Sequence, residues 1–423
     1  MKDYWPRLAD KQLQKRLQAK GAVLIQGPKW CGKTETATQQ AGSVLALDQP
    51  DQTTQYLHMA ELSPTTLLKG ETPRLIDEWQ LAPQLWNAVR YEVDQRGING
   101  QFILTGSALP ADLDPTAHTG TGRISRLTMR PMSLFESRNS SGQVSLTQLF
   151  AGKDLAVETP SSLEDICYLI CRGGWPQAAK LEGEPALFQA QDYYEALVEA
   201  DISRVDSVTR DREKAKRLLR SYARHVGSQA SLETVRQDIL ANAEDSFDQK
   251  TLYSYLAALN KIFVIEDVPA WNPNLRSKTA IRTTDTRYFV DPSIAVAALG
   301  LGPQDLMHDL ETLGLLFENL CIRDLRIYAE YLGGNIYHYR DKADRECDAV
   351  IHLRQGRYGL VEVKLGGDTL IEEGAENLQK LAADLDTSKM PAPAFMLILC
   401  AKAPYAYRRA DGIYIAPITS LCP

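Results

Sequence analysis

The stretch IQGPKWCGKTETA, residues 25–37, limits the fold more than any other part of the chain. Gly27, four residues, then Gly32-Lys33-Thr34 is the full phosphate-loop pattern, and the wholly apolar run AVLIQ (22–26) precedes it. Such a loop works at a strand–helix junction. Its glycines let backbone N–H groups turn inward around a phosphate, and the start of the following helix adds positive dipole. Lys33 would bridge the β- and γ-phosphates of a nucleoside triphosphate, and the Thr34 hydroxyl would hold Mg²⁺. Pro28, Lys29, Trp30, Cys31 and Glu35 complete the candidate binding loop.

AVLIQ reads as a strand buried on both faces of a parallel sheet. SVLALD (43–48), PRLID (73–77) and QFILTG (101–106) repeat the pattern, and ISRLTMR (124–130) is a fifth candidate. Helical segments, among them 3–19 and 83–95, separate them. This alternation predicts an α/β domain with right-handed crossovers over residues 1–150. In RLIDEWQ, Asp77 and Glu78 end an apolar strand. Asp77 would hold the water shell of Mg²⁺, and Glu78 would polarise the attacking water as general base. Thr105 and Ser107, in the next strand end, are candidates to sense the γ-phosphate. Arg123, Arg126 and Arg130 follow. One of them reaching a neighbouring subunit's phosphate would imply a homo-oligomer; as surface arginines they would imply nothing.

Residues 151–300 are expected to form a helical and winged-helix-like domain: from about 160 to 230 the chain turns helical, with a long stretch from Pro185 to Val226 and a turn forced at RGGWPQA before it, then a helix from Ser231 to about Leu240 and capping-box spacing at Ser246 and Gln249. FVIEDVPAW (263–271) reads as a strand and NPNLRSK as an exposed loop, and two helices followed by this strand and loop fit a winged-helix-like module. The net charge of −7 excludes a uniformly cationic nucleic-acid binder, so any DNA contact must be local. RVDSVTRDREKAKRLLRSYAR (204–224), which includes Arg210, Lys214, Lys216 and Arg217, is the candidate; a solvated helix face is the plainer reading. Seven scattered cysteines form no CxxC pair, the first residues lack an apolar signal core, and the longest apolar run, Phe395–Cys400, is strand-sized. A reduced, cytoplasmic protein with no membrane partner is expected.

From residue 301 a helix over 310–331 precedes several strands, and a second helix over 370–386 interrupts them. In RECDAVIHLRQGRYGLVEVKLGG, a three-residue turn with Gly356 left-handed would pair 353 with 357 and bring Asp348 across from Glu362. Glu362 and Lys364 share a strand face. With Glu318 from the preceding helix, these groups would suit a Mg²⁺ or Mn²⁺ ion and an activated water, as in a metal-dependent nuclease.

GPKWCGKT, LIDEWQ, FILTGS, MRPMSLFE, RGGWPQA, RYFVD, LFEN and ECDAVI…VEVK occur in this order. The set resembles a prokaryotic family of AAA-type P-loop ATPases whose C-terminal domain of unknown function is similar to a PD-(D/E)xK nuclease. The resemblance implies a five-stranded ATPase core, a helical and winged-helix-like middle, and a restriction-endonuclease-like α/β domain over 301–423. It also implies ATP binding through Lys33, Thr34, Asp77 and Glu78. The expected activity is Mg²⁺-dependent ATP hydrolysis controlling a DNA nuclease. The alternative is an ATP-dependent switch or scaffold whose last domain binds without cutting.

Overall fold

The period-two alternation of buried side chains decides how the first sheet is covered. The computed structural model describes the chain except residues 1–2, 108–119, 207, 242–246, 273–283, 342–344 and 389. Strands β1 (Ala22–Gln26), β2 (Ser43–Ala46), β3 (Arg74–Asp77), β4 (Phe102–Gly106) and β5 (Ile124–Thr128) form a parallel sheet in the order β2-β3-β4-β1-β5. Ala22, Leu24, Phe102 and Leu104 pack on one face with Trp79, Trp86 and Val89. Val23, Ile25 and Ile103 pack on the other with Leu13 and Leu17 of the helix Leu8–Ala19. The central strands are covered on both faces, which is why AVLIQ and FILTG read as near-continuous apolar runs; the edge strands β2 and β5 are only partly buried. Because β4 lies between β1 and β3, the ends of three adjacent strands bring the phosphate loop, Thr105 and Asp77 together.

The chain folds as two compact units. The first comprises residues 1–131 with 200–210 and 256–264; the second comprises 132–199, 211–255 and 265–423.

The second unit contains β6 (Val144–Ser145), β7 (Ala156–Glu158), β8 (Gly334–Arg340), β9 (Glu346–Leu353), β10 (Tyr358–Lys364), β11 (Phe395–Cys400), β12 (Tyr405–Arg408), β13 (Tyr414–Pro417) and β14 (Leu421–Cys422). Seven of them form a mixed sheet in the order β7-β12-β13-β11-β10-β9-β8, and β14 pairs with β6. The helix Asp368–Asp384 buries Ile371, Ala375, Leu378 and Leu381 against Val350, Leu360, Ile398 and Ile415 of that sheet. The helix Leu310–Tyr331 matches the expected span.

Several signature stretches meet in one buried network. Arg323 of that helix pairs with Asp291 of RYFVD at 2.9 Å and with Asp324 at 2.8 Å. Asp291 also accepts the backbone N–H of Gly174 in RGGWPQA, and Asp324 accepts that of Leu134 in MRPMSLFE. A Cβ on Gly174 would lie 2.1 Å from the Met132 carbonyl oxygen, so this position needs glycine. These motifs hold the second unit together.

Two expectations about the middle change. FVIEDVPAW is not a regular strand: it makes isolated bridges Ile265–Phe289, Val268–Thr286 and Ala270–His338. Its pairing is divided between two partners, and Pro269 has no N–H to continue a ladder. The helical stretch after Pro185 is broken into Glu184–Ala196, a π-helical turn Leu197–Asp201, Ile202–Arg204 and Arg212–Arg224. The helices Leu232–Ala241 and Gln249–Lys261 are present. Ser246 and most of NPNLRSK lie outside the described residues; Asp248 accepts the N–H of Thr251 at the start of the second helix.

Candidate functional site

Backbone geometry builds the phosphate loop. Gly27, at φ 150°, passes so close to β5 that a Cβ would lie 2.0 Å from the Met129 carbonyl oxygen. Gly32, at φ 96°, opens the short helix Lys33–Thr38. Between them Trp30 stands at φ 63°, a costly conformation for a bulky residue, with its side chain half-exposed. Lys33 is buried, and its Nζ donates to the carbonyls of Gly27 at 3.0 Å and Pro28 at 2.7 Å. Cys31 is buried with its thiol against the Met129 carbonyl. Lys29 turns away from the loop and pairs with Asp201 at 2.5 Å.

Asp77 joins three elements. Its Oδ1 accepts the Thr34 hydroxyl at 2.9 Å and the Thr105 hydroxyl as well. Ser107 is buried just beyond β4. Glu78 follows Asp77 in a left-handed conformation, φ 55°, and accepts the Gln80 side-chain amide. Burial pushes its carboxyl up, against the Gln80 hydrogen bond and the Lys33 ammonium that lower it; the Asp77 charge adds to the rise. A buried ammonium, a hydroxyl touching a carboxylate, and a loop with no room for a Cβ fit a Mg²⁺–triphosphate.

The sequence carried no signal for the residues behind this loop. Arg7, buried, donates Nη1 to the Cys31 carbonyl at 2.7 Å and Nη2 to the Arg130 carbonyl at 2.8 Å. Asp10 accepts the Arg7 N–H and the Tyr4 hydroxyl, and Tyr4 also meets the Thr36 hydroxyl at 3.0 Å. Of the three downstream arginines, Arg123 pairs with Asp94 on the surface and Arg126 lies over the Trp86 ring. Arg123 adjoins Ile124, which pairs with Ala22 at the end of β1 remote from the phosphate loop. Arg130 is buried beside Arg7.

In the second unit the hairpin forms as expected: Leu353 and Arg357 bond, Gly356 is left-handed at φ 80°, and Ala349 pairs with Val361. One step further the ladder gives way. Asp348 accepts the Val363 N–H at 2.7 Å through its own carboxylate instead of completing the backbone pair with Glu362. Glu362 is buried; its Oε1 accepts the Lys364 ammonium at 3.0 Å. Its Oε2 makes no hydrogen bond of ordinary geometry, although the Asn377 amide is close enough to be felt. Glu318 accepts the hydroxyl of Tyr288. Burial pushes the carboxyls of Glu318, Asp348 and Glu362 up; the Asp348 charge raises the other two further, and the Lys364 ammonium pulls Asp348 and Glu362 down. The four groups therefore share one electrostatic neighbourhood. Among the described residues no group of three or more His, Cys, Asp or Glu side chains is arranged to hold a metal ion.

The basic run splits. Arg210 is buried and bound to both carboxylate oxygens of Asp206 and to the Ile202 carbonyl, so it is a structural residue and not a surface phosphate contact. Arg212 pairs with Glu195 and Glu199, Lys216 with Glu213, and Arg224 with Asp238. The helix Arg212–Arg224 buries Ala215, Leu218, Leu219 and Tyr222 and leaves Arg220 exposed and Lys214 half-exposed. No helix among the described residues is long and apolar enough to cross a membrane.

Comparison with known proteins divides the chain in three. Residues 19–137 match the family described as AAA domain. Residues 163–305 and 313–421 match two families described as domains of unknown function, DUF8612 and DUF4143. No curated protein matches. Among solved structures, the Walker-type ATPase PABY2304 of Pyrococcus abyssi is 16% identical, covering 70% of this chain and 96% of its own, with a TM-score of 0.42. A DNA replication initiation factor is 14% identical, covering 59% and 85%, with a TM-score of 0.28. The signal-transduction ATPase PH0952 of Pyrococcus horikoshii, with a tetratricopeptide-repeat sensor, is 13% identical, covering 78% and 50%, with a TM-score of 0.23. Residues 19–137 thus form a P-loop domain of the AAA ATPase type, joined in this chain to two domains of unknown function.

Proposed function

We propose that the protein hydrolyses ATP with Mg²⁺ and that its nucleotide state controls the C-terminal acidic site. One observation carries the first half: Asp77 holds the Thr34 and Thr105 hydroxyls on a single oxygen, with Glu78 next in the chain. In this reading Lys33 exchanges the Gly27 and Pro28 carbonyls for phosphate oxygens. Thr34 and Asp77 orient the Mg²⁺ shell, and bound Mg²⁺ supplies charge neutralisation on the phosphates. Glu78 accepts a proton from the attacking water, while Gln80 holds the carboxylate in place. Thr105 and Ser107 report the γ-phosphate. The setting is cytoplasmic, and an arginine from a second copy is one route to full activity.

The second half is metal-dependent cleavage of DNA by Glu318, Asp348, Glu362 and Lys364 with Mg²⁺ or Mn²⁺. The geometry that sets Asp348 on the Val363 N–H beside the Glu362–Lys364 ion pair supports it. The helices 232–241 and 249–261 would act as a winged-helix-like DNA grip, aided by Lys214, Arg217 and Arg220. The same contacts also favour the switch reading: Asp348 and Glu362 are already engaged by Val363 and Lys364. Either carboxylate must release its partner to take a metal.

Phosphate release and DNA cleavage measured together separate these readings. Lys33→Ala should abolish ATP binding; Glu78→Gln should retain binding and lose about 10²-fold or more in hydrolysis. Cleavage by wild type that Glu362→Ala abolishes would establish the nuclease. ATP hydrolysis with intact DNA under both metals would leave the switch, and a wild type that binds no ATP would sink the proposal as a whole.

A further inference from the structure

The segment that precedes the AAA match is hydrogen-bonded to the phosphate loop and to the helix that follows it. We propose that Arg7 is a positioning residue that pre-orients the phosphate loop for the triphosphate, an inference that rests on the loop binding ATP. The guanidinium is buried at 6% exposure and reaches two carbonyls, that of Cys31 within the loop at 2.7 Å and that of Arg130 just beyond β5 at 2.8 Å. Those carbonyls belong to segments about a hundred residues apart, and Met129 beside Arg130 is also the residue whose carbonyl crowds Gly27.

The consequence follows from the planarity of the peptide. In a trans peptide the carbonyl of Cys31 and the N–H of Gly32 point in opposite directions. Holding the Cys31 oxygen on Arg7 therefore aims the Gly32 N–H away from Arg7, on the far side of the same peptide plane. Inward-turned amides of this loop are what grip phosphate oxygens, and glycine at Gly32 leaves the peptide free to rotate unless something pins it. Arg7 is the pin. A guanidinium suits the task because its planar fork donates in two fixed directions at once, which an ammonium cannot do.

The same segment secures the next element. Asp10 takes the Arg7 backbone N–H at 2.8 Å and the Tyr4 hydroxyl at 2.6 Å. Tyr4 in turn meets Thr36 on the helix Lys33–Thr38 at 3.0 Å. Cys31 and Thr36 flank Lys33 and Thr34, so both sides of the phosphate-binding pair are tied to residues 4–10. This strap lies outside residues 19–137, the span matched by the AAA family.

The test is the steady-state kinetics and thermal unfolding of the full chain, wild type against Arg7→Gln, Arg7→Lys and Tyr4→Phe, with and without MgATP. A misaimed amide weakens ground state and transition state alike. Arg7→Gln should therefore raise KM for MgATP about tenfold while kcat changes by less than about threefold. It should also shrink the rise in Tm that MgATP produces. Arg7→Lys, able to hold one carbonyl, should fall between the two. Tyr4→Phe, which leaves the guanidinium in place, should change KM less than Arg7→Gln and controls for loosening of the strap. A lowered Tm without nucleotide, combined with an unchanged KM and an undiminished MgATP-induced rise, would overturn the inference and leave Arg7 a stabilising residue only. An Arg7→Gln protein too unstable to assay passes the decision to Arg7→Lys, where an unchanged KM overturns it equally. Wild type that shows no MgATP-induced rise at all would instead remove the ATP-binding reading beneath it.

Discussion

Asp77 and Glu362 are both buried carboxylates, and their neighbours differ. Asp77 accepts the Thr34 and Thr105 hydroxyls on one oxygen. Glu362 has one ammonium, one oxygen without a hydrogen bond, and the Asp348 charge nearby. Its folded pKa is raised above that of an exposed glutamate, first by burial and then by Asp348. A carboxyl shifted this way favours the fold while protonated, and that contribution is lost as pH rises through the raised value. Glu362→Gln, which removes the titration, should therefore raise Tm relative to wild type at alkaline pH, with the gap closing as pH falls toward the ordinary glutamate range. Calorimetry from pH 5 to pH 9 checks it. A gap that widens on acidification would mean that the Lys364 pair outweighs desolvation. Both carboxylates stand out in the sequence at the ends of apolar runs; which one meets hydroxyls and which an ammonium depends on partners that the local pattern does not name.

Among the elements, those built from local chemistry were the legible ones. The central strands β1, β3 and β4 announce themselves because burial on both faces demands apolar residues, whereas the edge strands β2 and β5 keep partly exposed positions such as Val44 and Arg126. The β9–β10 hairpin follows from a glycine at the one position that needs a left-handed residue. Strands β6, β7, β12 and β14, two to four residues each, are too short for a periodicity to show. FVIEDVPAW has a strand's composition, but its neighbours divide its pairing. The phosphate loop is the element most exposed to a single change. Gly27→Ala would drive a methyl into the Met129 carbonyl at a backbone angle that alanine resists. It should cost about 1–3 kcal/mol of stability and abolish ATP binding. Chemical denaturation and nucleotide titration of the variant measure both, and retained ATP affinity would show that the loop can shift away from β5.

At the scale of the molecule, the first unit is not one stretch of chain. It takes in residues 200–210 and 256–264, which carry buried Ile202, Leu259 and Val264 along with Asp201, the partner of Lys29 in the phosphate loop. A fragment ending at Pro131 loses those segments. Removing several buried aliphatic side chains, each contributing about 1.5–3 kcal/mol, should leave it unfolded or unfolding many degrees below the full chain. Circular dichroism on heating decides; a fragment as stable as the full chain would make the two segments bystanders. The basic run divides along the same line: Arg210 falls within the first unit as a buried partner of Asp206, while the helix from Arg212 belongs to the second.

The order of residues was enough to place the phosphate loop on its strand, Asp77 and Glu78 at the end of another, and Asp348 near Glu362 through a hairpin. Each of these follows from neighbours within about twenty residues, where spacing and backbone preference act directly. Tertiary structure alone decided that Asp348 caps Val363, that Arg210 is buried, and that Arg7 grips Cys31 and Arg130. The reason is the same in each case: burial and hydrogen-bond partnership depend on which surfaces the folded chain brings together. For Arg7 and Arg130, 123 positions apart, no local periodicity encodes that meeting.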